Sequence, residues 1–146
     1  MLIRPARSDE GALIAAISRE ARVRAMPWLA VRHSKRQDID YFTHTVLAEQ
    51  AVLIAEDAGE RAGFAAVGGP WLNHLYVAPR HWRSGIGTAL LKKVQANHDQ
   101  LELWTFQQNE GARRFYARHG FREVEYSDGH RNEEHEPDVR MVWQRA

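Results

Sequence analysis

Leu72-Asn-His-Leu-Tyr-Val-Ala-Pro-Arg-His-Trp-Arg-Ser-Gly-Ile-Gly-Thr-Ala-Leu-Leu91 decides how the rest of this chain is read. Its first residues are apolar and strand-like, Pro79 opens a loop of basic and aromatic residues, and Gly85 and Gly87 lead directly into a helical pattern. Glycines carry no β-carbon to hold a ligand off the backbone, and the first N–H groups of a helix have no partner within it. Strand, glycine loop and helix start in that order make a place for an anion, with Arg80 and Arg83 as further donors. The plainer reading is that the glycines only turn a strand into a helix.

Spacing narrows the anion. Gly85-Ile-Gly87 lacks the third glycine of a dinucleotide fingerprint, and there is no Gly-Lys-Ser/Thr as in a P-loop. Upstream, Leu2 to Arg4 reads as a strand stopped by Pro5, and Ser8 as the cap of a first helix carrying Leu13, Ile14 and Ile17. Met26-Pro-Trp-Leu29 breaks that helix with apolar side chains that pack or line a pocket. Ser34 to Leu47 reads as a second helix, and Ala51 to Ala55 with Arg61 to Val67 as a hairpin. Downstream come a helix from Gly87 to Asn97, a strand over Leu101 to Phe106, and a helix capped by Asn109 and closed by Gly120. Arg122 to Tyr126 and Val139 to Gln144 are the final strands. The order is βααβββαβαββ, an α/β fold in a single domain over residues 1–146.

Composition sets the outer limits. With 44% hydrophobic residues, 27% charged residues and a formal net charge of +1, neither disorder nor a nucleic-acid partner is indicated. The absence of cysteine removes thiolate nucleophiles and disulfides and suits a reducing cytoplasm. No apolar run approaches the roughly 18 residues of a membrane span, so a cytoplasmic protein without membrane attachment is expected. Charge is uneven, however. Residues 80–93 hold four Lys/Arg and no acid, whereas residues 121–138 hold seven Asp/Glu against two Arg.

Val77-Ala-Pro79 followed by Gly85-Ile-Gly87-Thr-Ala-Leu-Leu91 resembles the cofactor motif of the GCN5-related N-acetyltransferase (GNAT) superfamily. Asn109-Glu-Gly-Ala112-Arg-Arg-Phe115-Tyr116, ending in Gly120-Phe121, is similar to a second motif of that family and stands at the expected distance downstream. One departure is clear: the family's Gln/Arg position, three residues before the first glycine, is Trp82, with Arg83 beside it.

The resemblance implies a mixed, largely antiparallel sheet whose central strands splay apart to admit acetyl-CoA as co-substrate. Leu75, Tyr76 and Val77 would offer backbone groups to the pantetheine arm. Arg83, Ser84, Gly85, Ile86, Gly87 and Thr88 would hold the pyrophosphate, and Asn109 would reach the pantetheine region. Tyr116 would be the general acid that protonates the departing thiolate; on its residues alone, Phe115-Tyr116 also reads as adjacent aromatics at a core edge.

The implied activity is direct transfer of acetyl from acetyl-CoA to a primary amine of a small molecule or peptide. The alternative is a non-catalytic sensor that only binds acyl-CoA. The general base is left open between His74, Glu56, Glu102 and water. The loop from Ser127 to Asp138 matches no strong metal pattern, so no metal is expected, and Glu133, Glu134 and Asp138 suit a cationic acceptor. Acceptor choice is assigned to Arg22–Leu47 and Ser127–Asp138, and the final strands offer an edge for a homodimer.

Overall fold

A computed structural model describes residues 1–146. Seven strands form one sheet in the order β1-β2-β3-β4-β5-β7-β6. They are β1 (Leu2–Pro5), β2 (Ala51–Asp57), β3 (Glu60–Gly68), β4 (Trp71–Val77), β5 (Gln100–Phe106), β6 (Arg122–Ser127) and β7 (Asp138–Gln144). Every neighbouring pair is antiparallel except β4 and β5. Those two are parallel and meet at one position, Trp71 opposite Glu102, with Glu102 N–H donating to the Pro70 carbonyl at 2.8 Å. Beyond it they separate, so the sheet is two halves hinged at one end. A register shift between Ala66 and Val67, opposite Asn73, bends β4 just where the separation begins.

Helix α1 (Gly11–Ala25) and α2 (Lys35–Tyr41) lie on one face. Their side of the core holds Ile14, Ile17, Phe42, Val46, Ile54 and Phe64, all nearly or completely buried. Ser34 starts α2 through a capping box, accepting from Gln37 N–H while its own N–H donates to the Gln37 side chain. Instead of running evenly to Leu47, the second helix widens into a π-helical turn over Phe42–Val46 before the short α3 (Leu47–Glu49). Ser8 does not cap α1. The residue before the helix is Glu10, whose buried carboxylate turns back to Arg4 at 2.8 Å and to Arg7 N–H at 2.7 Å.

The opposite face carries α4 (Ile86–Ala96) and α5 (Glu110–Arg118). Ile86, Leu90, Leu91 and Val94 recur at helical spacing and pack into a cluster with Ala65, Leu101, Leu103, Phe121 and Met141. Truncating Leu90, which has no exposed surface, to Ala would cost about 2–5 kcal/mol. The cluster spans both half-sheets and holds the separated strands at a fixed opening. At the far edge β7 is an interior strand, bonded to β5 on one side and β6 on the other, so only β6 offers a free edge among the final strands. No helix is long and apolar enough to cross a membrane.

Candidate active site

The opening between β4 and β5 is where the backbone has groups to spare. Ala78 N–H donates to the Ala62 carbonyl at 2.8 Å, which fixes the alternation along β4. Tyr76 and His74, at even steps from Ala78, turn their backbone groups to β3, while Val77 and Leu75 turn theirs toward the opening. Of the three strand residues expected to offer main-chain contacts, Leu75 and Val77 face the cleft through the backbone and Tyr76 does not. Side chains alternate oppositely to that assignment of roles. Leu75 and Val77 pack with α4, and Tyr76 stands on the α1 face beside Phe64 and His74.

At the end of β4 the glycine loop has the conformation expected of a cradle. Gly85 takes φ 84° and Arg83 φ 66°, both left-handed, which is costly for a side chain at 83 and natural for a glycine at 85. The first paired amide of the helix is Ala89, donating to the Gly85 carbonyl at 3.0 Å, so the N–H groups of Ile86, Gly87 and Thr88 precede the ladder. A β-carbon built at Gly87 would sit 3.6 Å from Phe115 and 3.7 Å from Val77, which is ordinary contact. The protein itself therefore does not require glycine there, and the space it leaves adjoins the open strand and α5.

The side chains of the loop are arranged differently from the expectation. The Ser84 hydroxyl donates to the His81 carbonyl and so closes the loop. Arg80 turns away from the cradle to Glu60 at 3.3 Å. Trp82, at the family's Gln/Arg position, is 40% exposed and donates its indole N–H to the Val77 carbonyl at 2.7 Å, fastening the loop to the end of the open strand. Arg83 is exposed and has no ion-pair partner, which leaves it free to meet an anion.

Helix α5 presents the second motif. Asn109 caps it, its side-chain oxygen accepting from Ala112 N–H at 3.2 Å, which leaves its NH₂ unpaired. Tyr116 lies edge-on to Phe115 at 5.2 Å and to Phe121 at 5.4 Å between ring centroids. Burial, and secondarily the Tyr76 phenol, push its pKa well above the usual tyrosine range. Its hydroxyl has no hydrogen-bond partner in the chain and stays protonated.

The groups considered as base separate clearly. Glu56 is held by Arg4 at 2.7 Å near the β1 edge, and Glu102 by Arg140 on β7. Each carboxylate is thus engaged across the sheet by an arginine. His74 lines a cavity of about 460 Å³ on the α1 face, opposite Glu133 and Glu134. Its Nε2 lies 3.2 Å from the Tyr41 hydroxyl, and its buried Nδ1 is unpartnered. Burial first, and then the positive charge of Arg22, lower its pKa to about 4, so the ring is neutral at pH 7.

The same cavity gathers Arg22, Met26, Leu29, His33, Tyr41 and Phe42 from α1, α2 and the segment between them. Within that segment Trp28 crosses to β5 and packs edge-on against Phe106 at 5.9 Å, so the α1–α2 connection bridges the two half-sheets. From the other side, Glu134 pairs with Arg22 at 3.4 Å and Glu133 meets His33 at 2.8 Å. Asp138, expected beside them, instead takes the Asn132 side chain at 3.2 Å at the start of β7. Arg22, Tyr41 and His33 carried no motif, and only their position in the irregular Arg22–Leu47 region pointed to the acceptor.

An open strand that runs into a glycine cradle presents unpaired backbone groups along an α/β sheet. A family model described as an acetyltransferase (GNAT) domain matches residues 48–123, just over half of the chain, and the chain belongs to that family. It is 38% identical over 80 residues to the peptidyl-lysine N-acetyltransferase YiaC of Escherichia coli, an alignment covering 54% of this chain and 55% of that protein. The chain thus spans about half the length of that relative. In fold it resembles apo YjaB of Escherichia coli, with TM-score 0.81, 22% identity, and coverage of 99% and 98% of the two chains. The PaiA N-acetyltransferase of Thermoplasma acidophilum, solved in complex with coenzyme A, superposes with TM-score 0.78, 20% identity, and coverage of 99% and 98%.

Proposed function

We propose that this chain is a single-domain, acetyl-CoA-dependent N-acetyltransferase that delivers acetyl directly to a primary amine. The observation that carries the reading is the pairing of an open β4 edge, at Leu75 and the Val77 N–H, with the unpaired N–H groups of Ile86 to Thr88. An extended amide-bearing arm ending in a pyrophosphate has matching groups at that spacing, and the coenzyme A complex of the Thermoplasma protein supports it. The lysine-directed name of the Escherichia coli relative favours a polypeptide amine as acceptor.

Acetyl-CoA supplies an acyl carbon already activated as a thioester. Backbone N–H groups of the open strand are suited to the acyl oxygen as negative charge develops on it. The amine nitrogen forms the new C–N bond as the C–S bond breaks, and Tyr116 gives its hydroxyl proton to the leaving sulfur. The ammonium proton leaves through water toward neutral His74, while Glu133 and Glu134 hold the acceptor's positive charge near the opening. With no cysteine to carry the acetyl group, transfer is direct.

A sensor that binds acyl-CoA without turnover draws its support from the weak basicity of His74. Thiol release from acetyl-CoA in the presence of an amine panel separates the readings. The transferase requires amine-dependent release, whereas binding without release would leave the sensor.

A further inference from the structure

A second groove, of about 1110 Å³, runs along the outer side of α1 and α2. It adjoins the cavity that His74 lines, since both are lined by Arg19, Val23 and Asp38. The common wall is the Arg19–Asp38 ion pair at 2.8 Å. The floor is apolar, with Ala12, Ala16 and Ile39 on it, and the far end is closed by Pro79 and Trp82 of the loop leading into the cradle.

Charge around the groove is one-sided. Arg19, Arg24, Lys35 and Arg80 stand against Glu20 and Asp38. Both acids are engaged, Asp38 by Arg19 and Glu20 by Arg80 at 3.8 Å, and Arg80 is held further by Glu60. Arg24 and Lys35 are exposed and no carboxylate lies within ion-pair reach of either. The cavity next door carries both signs, with Glu134 engaged by Arg22 and Glu133 by His33, and Arg32 beside them. A ligand that reaches from it into the groove meets uncompensated positive charge at Arg24 and Lys35 and is anionic there.

We propose that the acceptor is a polypeptide whose reactive amine is flanked by acidic residues, with that flank lying along the α1–α2 groove against Arg24 and Lys35. Cavity and groove together exceed what a small amine fills, and an extended chain crossing the Arg19–Asp38 wall occupies both. The proposal rests on the acetyltransferase reading for the fate of the amine, but not for the docking.

The test is fluorescence anisotropy with the full chain saturated with coenzyme A. The probe is a short labelled peptide with one lysine inside a run of aspartate and glutamate. Its control replaces those residues with asparagine and glutamine. The acidic peptide should bind about tenfold more tightly, with a preference that shrinks as salt rises. The Arg24→Glu/Lys35→Glu variant should lose or invert that preference, and Arg24→Gln/Lys35→Gln should abolish it, with coenzyme A affinity unchanged in both.

Equal binding of the two peptides would overturn the proposal. So would loss of coenzyme A affinity in either variant, because the groove would then belong to the nucleotide. Mass spectrometry with acetyl-CoA keeps the two ideas apart. Preferential binding without acetylation sinks the transferase and leaves the docking surface standing; acetylation indifferent to flanking charge does the reverse.

Discussion

The two sides of the opening are built from different materials. On the proposed cofactor side the groups are main-chain: the free edge of β4 and the first amides of α4, held by a left-handed glycine and packed against α5. On the proposed acceptor side they are side chains, Arg22, His33, Tyr41, His74, Glu133 and Glu134, brought from three stretches far apart in the chain. Backbone donors survive most substitutions, so a cofactor shared by many enzymes is served by them. Side-chain walls can be replaced one residue at a time, so acceptor choice changes without disturbing the sheet.

The sharpest way to break this division is at Tyr116, the proposed proton donor. Tyr116→Phe should lower kcat by about 10²–10⁴-fold with acetyl-CoA affinity unchanged, read by steady-state kinetics and calorimetry. Preserved turnover would remove the phenol from the mechanism.

Next comes the buried imidazole of the acceptor side. A histidine with a folded pKa of about 4 and an unfolded value near 6.5 is neutral in both states above pH 6.5. As pH falls below that, the unfolded chain takes up the proton first, so stability declines by about 3 kcal/mol in total by pH 4. His74→Asn should flatten that limb in urea unfolding at stepped pH; an unchanged limb would mean the ring is not held neutral. Glu10 acts lower, since its carboxyl is pulled by Arg4 to about 2, and its contribution is lost between pH 4.5 and 2.

Gly87→Ala tests the cofactor side alone. The added methyl meets Phe115 and Val77 at ordinary contact, so Tm should hardly move. The Kd for acetyl-CoA should rise about tenfold, the equivalent of losing one well-made hydrogen bond. A fall in Tm of matching size would assign the effect to folding instead. The smallest effect is expected from Glu133→Gln with Glu134→Gln: a rise in amine KM of about threefold, as befits partly screened charges, with the KM for acetyl-CoA constant. A change in both KM values would blur the two sides.

Much of this arrangement was readable from residue types, and the failures have a common cause. The strand, glycine loop and helix over Leu72–Leu91 and the cap at Asn109 were legible because local chain chemistry dictates them. Ser8 and Arg80 were misread because distant partners claim the groups around them. Glu10 turns to Arg4, and Arg80 turns to Glu60 and Glu20. The partners of Glu56 and Glu102 had no local signature for the same reason, each being held across the sheet by an arginine. The Trp82 bond to Val77 had no local signature either, since its acceptor is free only because β5 has parted from β4.

By itself, then, the sequence determined the order βααβββαβαββ, the glycine loop and helix start over Gly85–Thr88 and the cap at Asn109, because periodicity, glycine and capping residues act over a few positions. Tertiary structure alone decided which half of each β4 peptide faces the opening. It also decided that His74 is buried and neutral, and that Arg22 meets Glu134 from more than a hundred residues away. Desolvation and long-range pairing depend on what packs around a group, and the sheet's single hinge at Trp71 and Glu102 sets that packing.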